Sequence, residues 1–382
     1  MLTSTDTWTV SGISTNMNSF DGEGTDQESK LAEILWIFAM ILIIGFSVVG
    51  NLTICYAVFK NQSLRKPCFY MLCNIAVADC LRAGLCFPVV ILAIWTGNWI
   101  YGKFMCDMLA FINIYLYYGV LYTTLFLSVE RYLVVRFHRF HRQKLTGLTC
   151  LLGVLFAWAL SIATAFPPIL NPNAYEYASA EFQCTFKRRG FSDHGSESGY
   201  YSVFYVADNF LIVIFYVRVF LFMRTHRKMR PLQFIPAISS SWTFYGPGST
   251  GQAATNWFLG YRQNATPPPH TATTQSSTNR THLALLHPNF NKEERLSKIC
   301  LLLAIVNILL WMPYMVNCAG IAFGMLKIPN VYITNFTWLT YLQTCASPLI
   351  CIIFVPEIRM FCCACAKKYP ASEREVLQIS SQ

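Results

Sequence analysis

The sequence is short of charge. Only 13% of its 382 residues are Asp, Glu, Lys or Arg, while 54% are hydrophobic. A soluble domain carries roughly 25% charged residues, so an ordinary water-soluble enzyme or binding domain is excluded: much of this chain must face something other than water. The short alternating apolar and polar segments of a membrane barrel are missing too. So are the basic and apolar regions of a cleaved signal peptide. Residues 1–31 are instead polar and acidic (Asp6, Asp21, Glu23, Asp26, Glu28), and the first apolar stretch after them is expected to serve as the insertion signal.

What is present is long apolar runs. A bilayer core of about 30 Å needs roughly 20 mainly apolar residues per helix. Seven stretches meet this: Ala32 to Phe59, Cys68 to Trp95, Cys106 to Val135, Thr146 to Leu170, Tyr200 to Met223, Glu294 to Phe323 and Val331 to Val355. The fold class expected is all-α, a polytopic membrane protein with a seven-helix bundle over residues 32–355 and a short amphipathic helix after the seventh span. A tail over 356–382 completes the chain. With the N-terminus placed outside, most of the 29 lysines and arginines fall in the cytoplasmic segments, as the positive-inside rule requires. The net charge of +10 is thus a topology signal. No nucleic-acid partner is expected, and lipids are.

Fifteen cysteines suggest a disulfide framework only until they are placed. Most lie within spans or on their inner side, away from an oxidising compartment. Cys106 and Cys184 alone sit at the outer face, and one external disulfide between them is the economical reading. Cys362, Cys363 and Cys365 follow the last span and precede Lys367 and Lys368, a pattern suited to palmitoylation.

Most connections are short, but residues 224–292 form a long third cytoplasmic loop. It opens with Arg224, Arg227, Lys228 and Arg230 and closes on Pro267, Pro268, Pro269 and a Ser/Thr/Asn-rich tract. Such composition cannot bury a core. The middle nevertheless holds Trp242, Phe244, Tyr245, Trp257, Phe258 and Tyr261, which a plain linker does not need. It reads either as a docking segment or as a merely sticky loop.

Polar groups inside the spans carry the functional reading. From Cys106 to Arg131 is about 37 Å of helix at 1.5 Å per residue, so Glu130-Arg131-Tyr132 stands at the inner end of span 3. Glu293 precedes Pro313 by about 30 Å and also lies at the inner face. A Glu293–Arg131 ion pair could hold spans 3 and 6 together there; the bland alternative is a snorkelling arginine with Glu130 as local partner. Pro313 removes a backbone hydrogen bond and should kink span 6, with Trp311 half a turn below it. Burying a charge in the bilayer costs at least about 2.5–3.5 kcal/mol on insertion scales, which singles out Asp79, Arg82 and Asp208. Asp79 and Arg82 share one helix face. Either they pair, or Arg82 points to the outer cavity and recognises an acidic ligand group.

These features occur in an ordered set. Gly50-Asn51, Asn74 with Asp79, Cys106, Glu130-Arg131-Tyr132, Trp158, Cys184, Trp311-Met312-Pro313, Ser347-Pro348 with Cys351, and Phe361 follow one another at transmembrane spacing. In this the chain resembles the rhodopsin-like receptor family over nearly all of its membrane part. More narrowly, Lys228 to Pro231, Trp242 to Pro247, Gly251 to Trp257, Asp79 to Arg82, Phe166 to Pro168 and Gln183 to Phe186 resemble the super-conserved receptors expressed in brain, a group of orphans. The resemblance implies a receptor that passes an extracellular signal, or constitutive activity, to a heterotrimeric G protein. It implies no enzyme activity, no cofactor and no known ligand. A non-signalling scaffold or co-receptor working through the third loop is the alternative.

Departures from the family pattern shape the remaining expectations. Ser347 and Cys351 stand where the family has asparagine and tyrosine. Val120 replaces a serine near Asp79, which leaves few oxygens for a hard cation, so no metal is assigned. Asn113 stands where amine receptors have aspartate, and span 7 has no lysine for a retinal link. Asp208 and Asn307 occupy positions that in the family meet beneath the cavity beside a residue of span 3, here Leu121. An Asp208–Asn307 hydrogen bond is expected in place of that apolar relay, with a protonated Asp208 bonded to a local carbonyl as the alternative. The relay set is then Asp79, Leu121, Asp208, Asn307, Trp311, Pro313, Ser347 and Pro348. The cavity candidates are Arg82, Asn113, Trp311, Tyr314 and Tyr341.

Overall fold

In hydrocarbon each backbone polar group must be satisfied within its own segment or a closed sheet, and the apolar runs become helices. The structure, a computed structural model, describes residues 20–171, 174–187, 197–228, 290–324 and 328–362. Seven helices among them are long and apolar enough to cross a membrane. They are α1 (Phe20–Lys60), α2 (Pro67–Leu85, resuming as Phe87–Thr96), α3 (Gly102–Arg136), α4 (Gly147–Ala165), α5 (Glu197–Lys228), α6 (Phe290–Ala322) and α7 (Asn330–Phe354). A turn at Val355 leads into the short α8 (Pro356–Cys362), which tucks Ile358 into the core.

The seven expected spans are all found, several with longer ends, while α4 stops at Ala165, short of the expected Leu170. Helix α1 begins at Phe20, inside the segment expected to be only a polar N-terminus. Helices α5 and α6 run to Lys228 and from Phe290, so the third loop is shorter than 224–292. Its aromatic tract lies outside the described residues, as do Cys363 and Cys365; Cys362 closes α8.

Long apolar side chains such as Phe38, Leu52, Leu155, Phe210 and Val331 stay exposed on the outer faces, as a lipid solvent allows. Polar side chains are turned inward: Asn51, Asp79, Arg82, Arg131, Thr344 and others are buried. Helices pack closely where small residues permit it. A Cβ on Gly119 would meet the Trp158 ring at 2.9 Å, and one on Gly50 would meet Pro348 at 2.6 Å. At one end of the bundle β1 (Tyr175–Ala178) pairs antiparallel with β2 (Gln183–Phe186). This hairpin is stapled to α3 by the Cys106–Cys184 disulfide, with Cα atoms 5.3 Å apart. We call this the disulfide end and the opposite one the Arg131 end.

Candidate functional site

At the Arg131 end, three charged groups and a histidine converge. Arg131 is 2% exposed. Its Nε donates to Glu130 Oε2 at 2.5 Å and its Nη2 to Glu130 Oε1 at 2.6 Å. Its Nη1 donates to Glu293 Oε2 of α6 at 3.0 Å. The two alternatives read from the sequence therefore coexist: a local pair and a cross-helix pair on one guanidinium, whose fork of five donors suits both. His141, on the short helix His138–Lys144, also reaches Glu130 Oε1 at 2.9 Å. Nothing in its sequence position signals this contact. Tyr132 packs against Phe137 and Phe215, away from the charges. Arg295 adds a tie from α6 to α7, donating to the Phe354 carbonyl at 3.0 Å.

Halfway along the bundle the polar groups form a lattice between helices. Asn74 of α2 donates to Thr123 of α3 at 2.8 Å and accepts from Trp158 of α4 at 3.0 Å. In α7, Pro348 has no N–H, so the Thr344 carbonyl four residues earlier loses its helical donor. Asn51 and Ser47 of α1 supply donors to that carbonyl at 3.0 and 3.3 Å. The glycine before Asn51 is what lets the Pro348 ring come this close.

Asp79 and Arg82 do not pair directly. Asp79 accepts from Gln343 Nε2 at 3.2 and 3.3 Å and from Ser347 Oγ at 3.3 Å. Arg82 points toward the disulfide end. Its Nε donates to Asn113 at 2.7 Å, and its Nη1 donates to the Thr340 carbonyl at 3.1 Å and to Gln343 Oε1 at 3.3 Å. The guanidinium lies 4.8 Å from the Trp311 ring and 5.6 Å from Phe87. The direct pair fails because Gln343 stands between the two side chains and satisfies both. Gln343 was not among the candidates, although Thr340, Gln343 and Ser347 form a polar stripe at helical spacing in the sequence.

Above Arg82 is a small cavity, lined by Asn113, Tyr117, Thr185, Trp311, Tyr314 and Thr340 among others. Of the five cavity candidates, Asn113, Trp311 and Tyr314 line it. Arg82 and Tyr341 do not. Arg82 is held beneath the floor by its α7 acceptors, and Tyr341 is buried between Phe87 and Trp338. Tyr117, missed in the sequence, stacks on Trp311 with centroids 3.5 Å apart. The β hairpin roofs the cavity. Thr185 and the Tyr314 hydroxyl share a hydrogen bond of 2.8 Å, and that hydroxyl also donates to Glu181 at 3.3 Å. Thr334 of α7 donates to the Ala180 carbonyl at 2.6 Å, and Trp36 of α1 packs on Phe182. Burial pushes the Tyr175 and Tyr177 phenols of β1 above the usual tyrosine range, which keeps them neutral.

The expected Asp208–Asn307 bond is not formed. Both residues are buried, and Asp208 Oδ2 and Asn307 Oδ1 find no hydrogen-bond partner among the described residues. Tyr205, one turn before Asp208, makes the crossing instead and donates to the Ile308 carbonyl at 2.9 Å. Ser202 does likewise to the Met315 carbonyl at 3.3 Å. Both acceptors are near Pro313, where α6 has lost a backbone bond. Leu121 is fully buried in the core.

Seven apolar helices, a hairpin stapled to the third, and an arginine at that helix's far end define a receptor bundle. The family model described as "7 transmembrane receptor (rhodopsin family)" matches residues 50–350. Probable G-protein coupled receptor 173 of Danio rerio is 33% identical over 338 residues, covering 88% of this chain and 87% of its own length. Probable G protein-coupled receptor 85 of Danio rerio is 35% identical over 335 residues, 87% of this chain and 90% of its own. Probable G-protein coupled receptor 27 of Homo sapiens is 31% identical over 351 residues, 90% and 92%. The chain belongs to the rhodopsin family of seven-transmembrane receptors. It is a multi-pass membrane protein and not an enzyme, and its relatives are the orphan group that the third-loop motifs resemble.

Proposed function

We propose that the chain is a plasma-membrane receptor whose Arg131 end faces the cytoplasm and catalyses nucleotide exchange on a heterotrimeric G protein. The concentration of Lys and Arg in the segments at that end supports the orientation. It leaves residues 1–31 and the hairpin outside, and the third loop and the lipidation candidates Cys362, Cys363 and Cys365 inside.

The observation that carries the reading is the Arg131–Glu293 ion pair across α3 and α6. While it holds, α6 covers the Arg131 end. When it breaks, α6 can swing about the Pro313 kink and open a pocket for the partner. A ligand in the cavity under the hairpin acts only by binding the two positions of α6 with different affinity. Trp311 and Tyr314 lie in α6 on either side of Pro313 and line that cavity, so they are the groups through which such a difference would be felt.

The test is G-protein activation in cells expressing the receptor and two variants at matched surface levels. Glu293→Ala should raise basal activation several-fold, since it removes the cross-helix partner and leaves the Glu130 pair. Arg131→Ala should lower activation. Silence in the wild type and in both variants would refute the reading.

A further inference from the structure

Gln343 uses both ends of its amide. Its Oε1 accepts from the Arg82 guanidinium at 3.3 Å, and its Nε2 donates to both oxygens of the Asp79 carboxylate at 3.2 and 3.3 Å. Only this orientation of the amide serves both neighbours; turned over, it would set N–H against N–H and oxygen against oxygen. All three residues are at most 2% exposed. Among the described residues the hydrogen-bond and ring partners of Arg82 are all neutral: Gln343, Asn113, Thr340 and the faces of Trp311 and Phe87. The hydrogen-bond partners of Asp79, Gln343 and Ser347, are neutral donors. An ionised carboxylate accepts hydrogen bonds only, the role these donors suit, and an ionised group this deep needs a compensating charge.

We propose that Arg82 is the resident counter-ion of Asp79, joined to it through Gln343, so the polar core is neutral without a metal cation. The amide dipole of Gln343 is aligned with the field between the two charges and conducts the pairing across a gap that the side chains do not close themselves. A hard cation would have to gather several oxygens here. Ser347 already donates to Asp79, Val120 offers none, and the Gln343 oxygen is turned to Arg82. The bridge has a second consequence. Arg82 rests on Trp311 and holds Asn113, both of which line the cavity, while Asp79 holds Ser347, the neighbour of Pro348. One bonded chain therefore runs from the cavity floor to the proline of α7.

The test uses the purified full-length receptor and does not depend on G-protein coupling. Melting temperature is measured for the wild type, Asp79→Asn, Arg82→Gln and the double variant. Each single variant strands one charge and should melt several degrees lower. The double variant leaves a neutral amide core and should melt above both singles. Exchanging sodium chloride for choline chloride at equal ionic strength should leave the wild type unmoved. Additive losses in the double variant would overturn the proposal. So would a wild type stabilised by sodium, a result that needs no variant to fold.

Discussion

Two arginines of this bundle are buried to nearly the same degree, Arg82 to 1% and Arg131 to 2% exposed, yet they are treated in opposite ways. Arg131 meets two carboxylates directly, and one of them, Glu293, keeps 16% of its side chain exposed. Arg82 meets neutral oxygens and aromatic faces, and its charge partner is one residue removed. The difference follows from where water is. Near a helix end an ion pair can be broken into solvent, so a direct pair there is a latch. In the middle of the bundle a released charge has nowhere to go, and truncating one partner of a buried pair costs about 3–5 kcal/mol. On the function proposed above, direct pairing with Glu293 marks the part that opens and bridged pairing the part that stays.

That contrast can be broken in several places. The largest loss should come from Glu130→Ala. It removes both short bonds to Arg131 and the His141 contact at a site 1% exposed, and it should cost about 3–5 kcal/mol. Thermal melting of the purified receptor would show this, and a loss no greater than that of Glu293→Ala would erase the distinction between anchor and latch. Next comes Gly50→Val. Its side chain would press on Pro348, and overpacking of this kind costs about 1–3 kcal/mol. A melting temperature equal to the wild type would show that α1 and α7 are looser than their geometry implies. Tyr205→Phe deletes the donor to Ile308 and should cost about 1 kcal/mol, again read by melting. The smallest effect belongs to Asp208→Asn. With no partner for Oδ2 to lose, it should leave basal signalling within error, whereas a marked change would reinstate a relay between α5 and α6.

The sequence revealed the bundle well because lipid leaves so few options: seven long apolar runs can only be seven helices. Arg131 and Glu293 were legible for the same reason, since helix rise places both at one depth. The mid-bundle contacts were not. Spacing along α2 put Asp79 and Arg82 on one face, but whether their side chains meet depends on what α7 inserts between them, and Gln343 is a tertiary fact. Likewise Asp208 and Asn307 are at matching depth, yet Tyr205 has the longer reach and takes the contact. His141 was invisible because the short helix His138–Lys144 folds back toward Glu130 after the break at Phe137, and no periodicity foretells that turn. The hairpin's hold on Tyr314 and Thr334 was hidden for the same reason.

The Thr344 carbonyl has a mechanical consequence. Because Pro348 strips it of its helical donor and Asn51 replaces that donor, any turn of α7 about its proline would leave a buried oxygen unpaired unless α1 turned with it. The two helices are thereby geared together. In the opening proposed for α6, movement delivered to α7 would be shared with α1, so the two would respond as a pair of coupled rods.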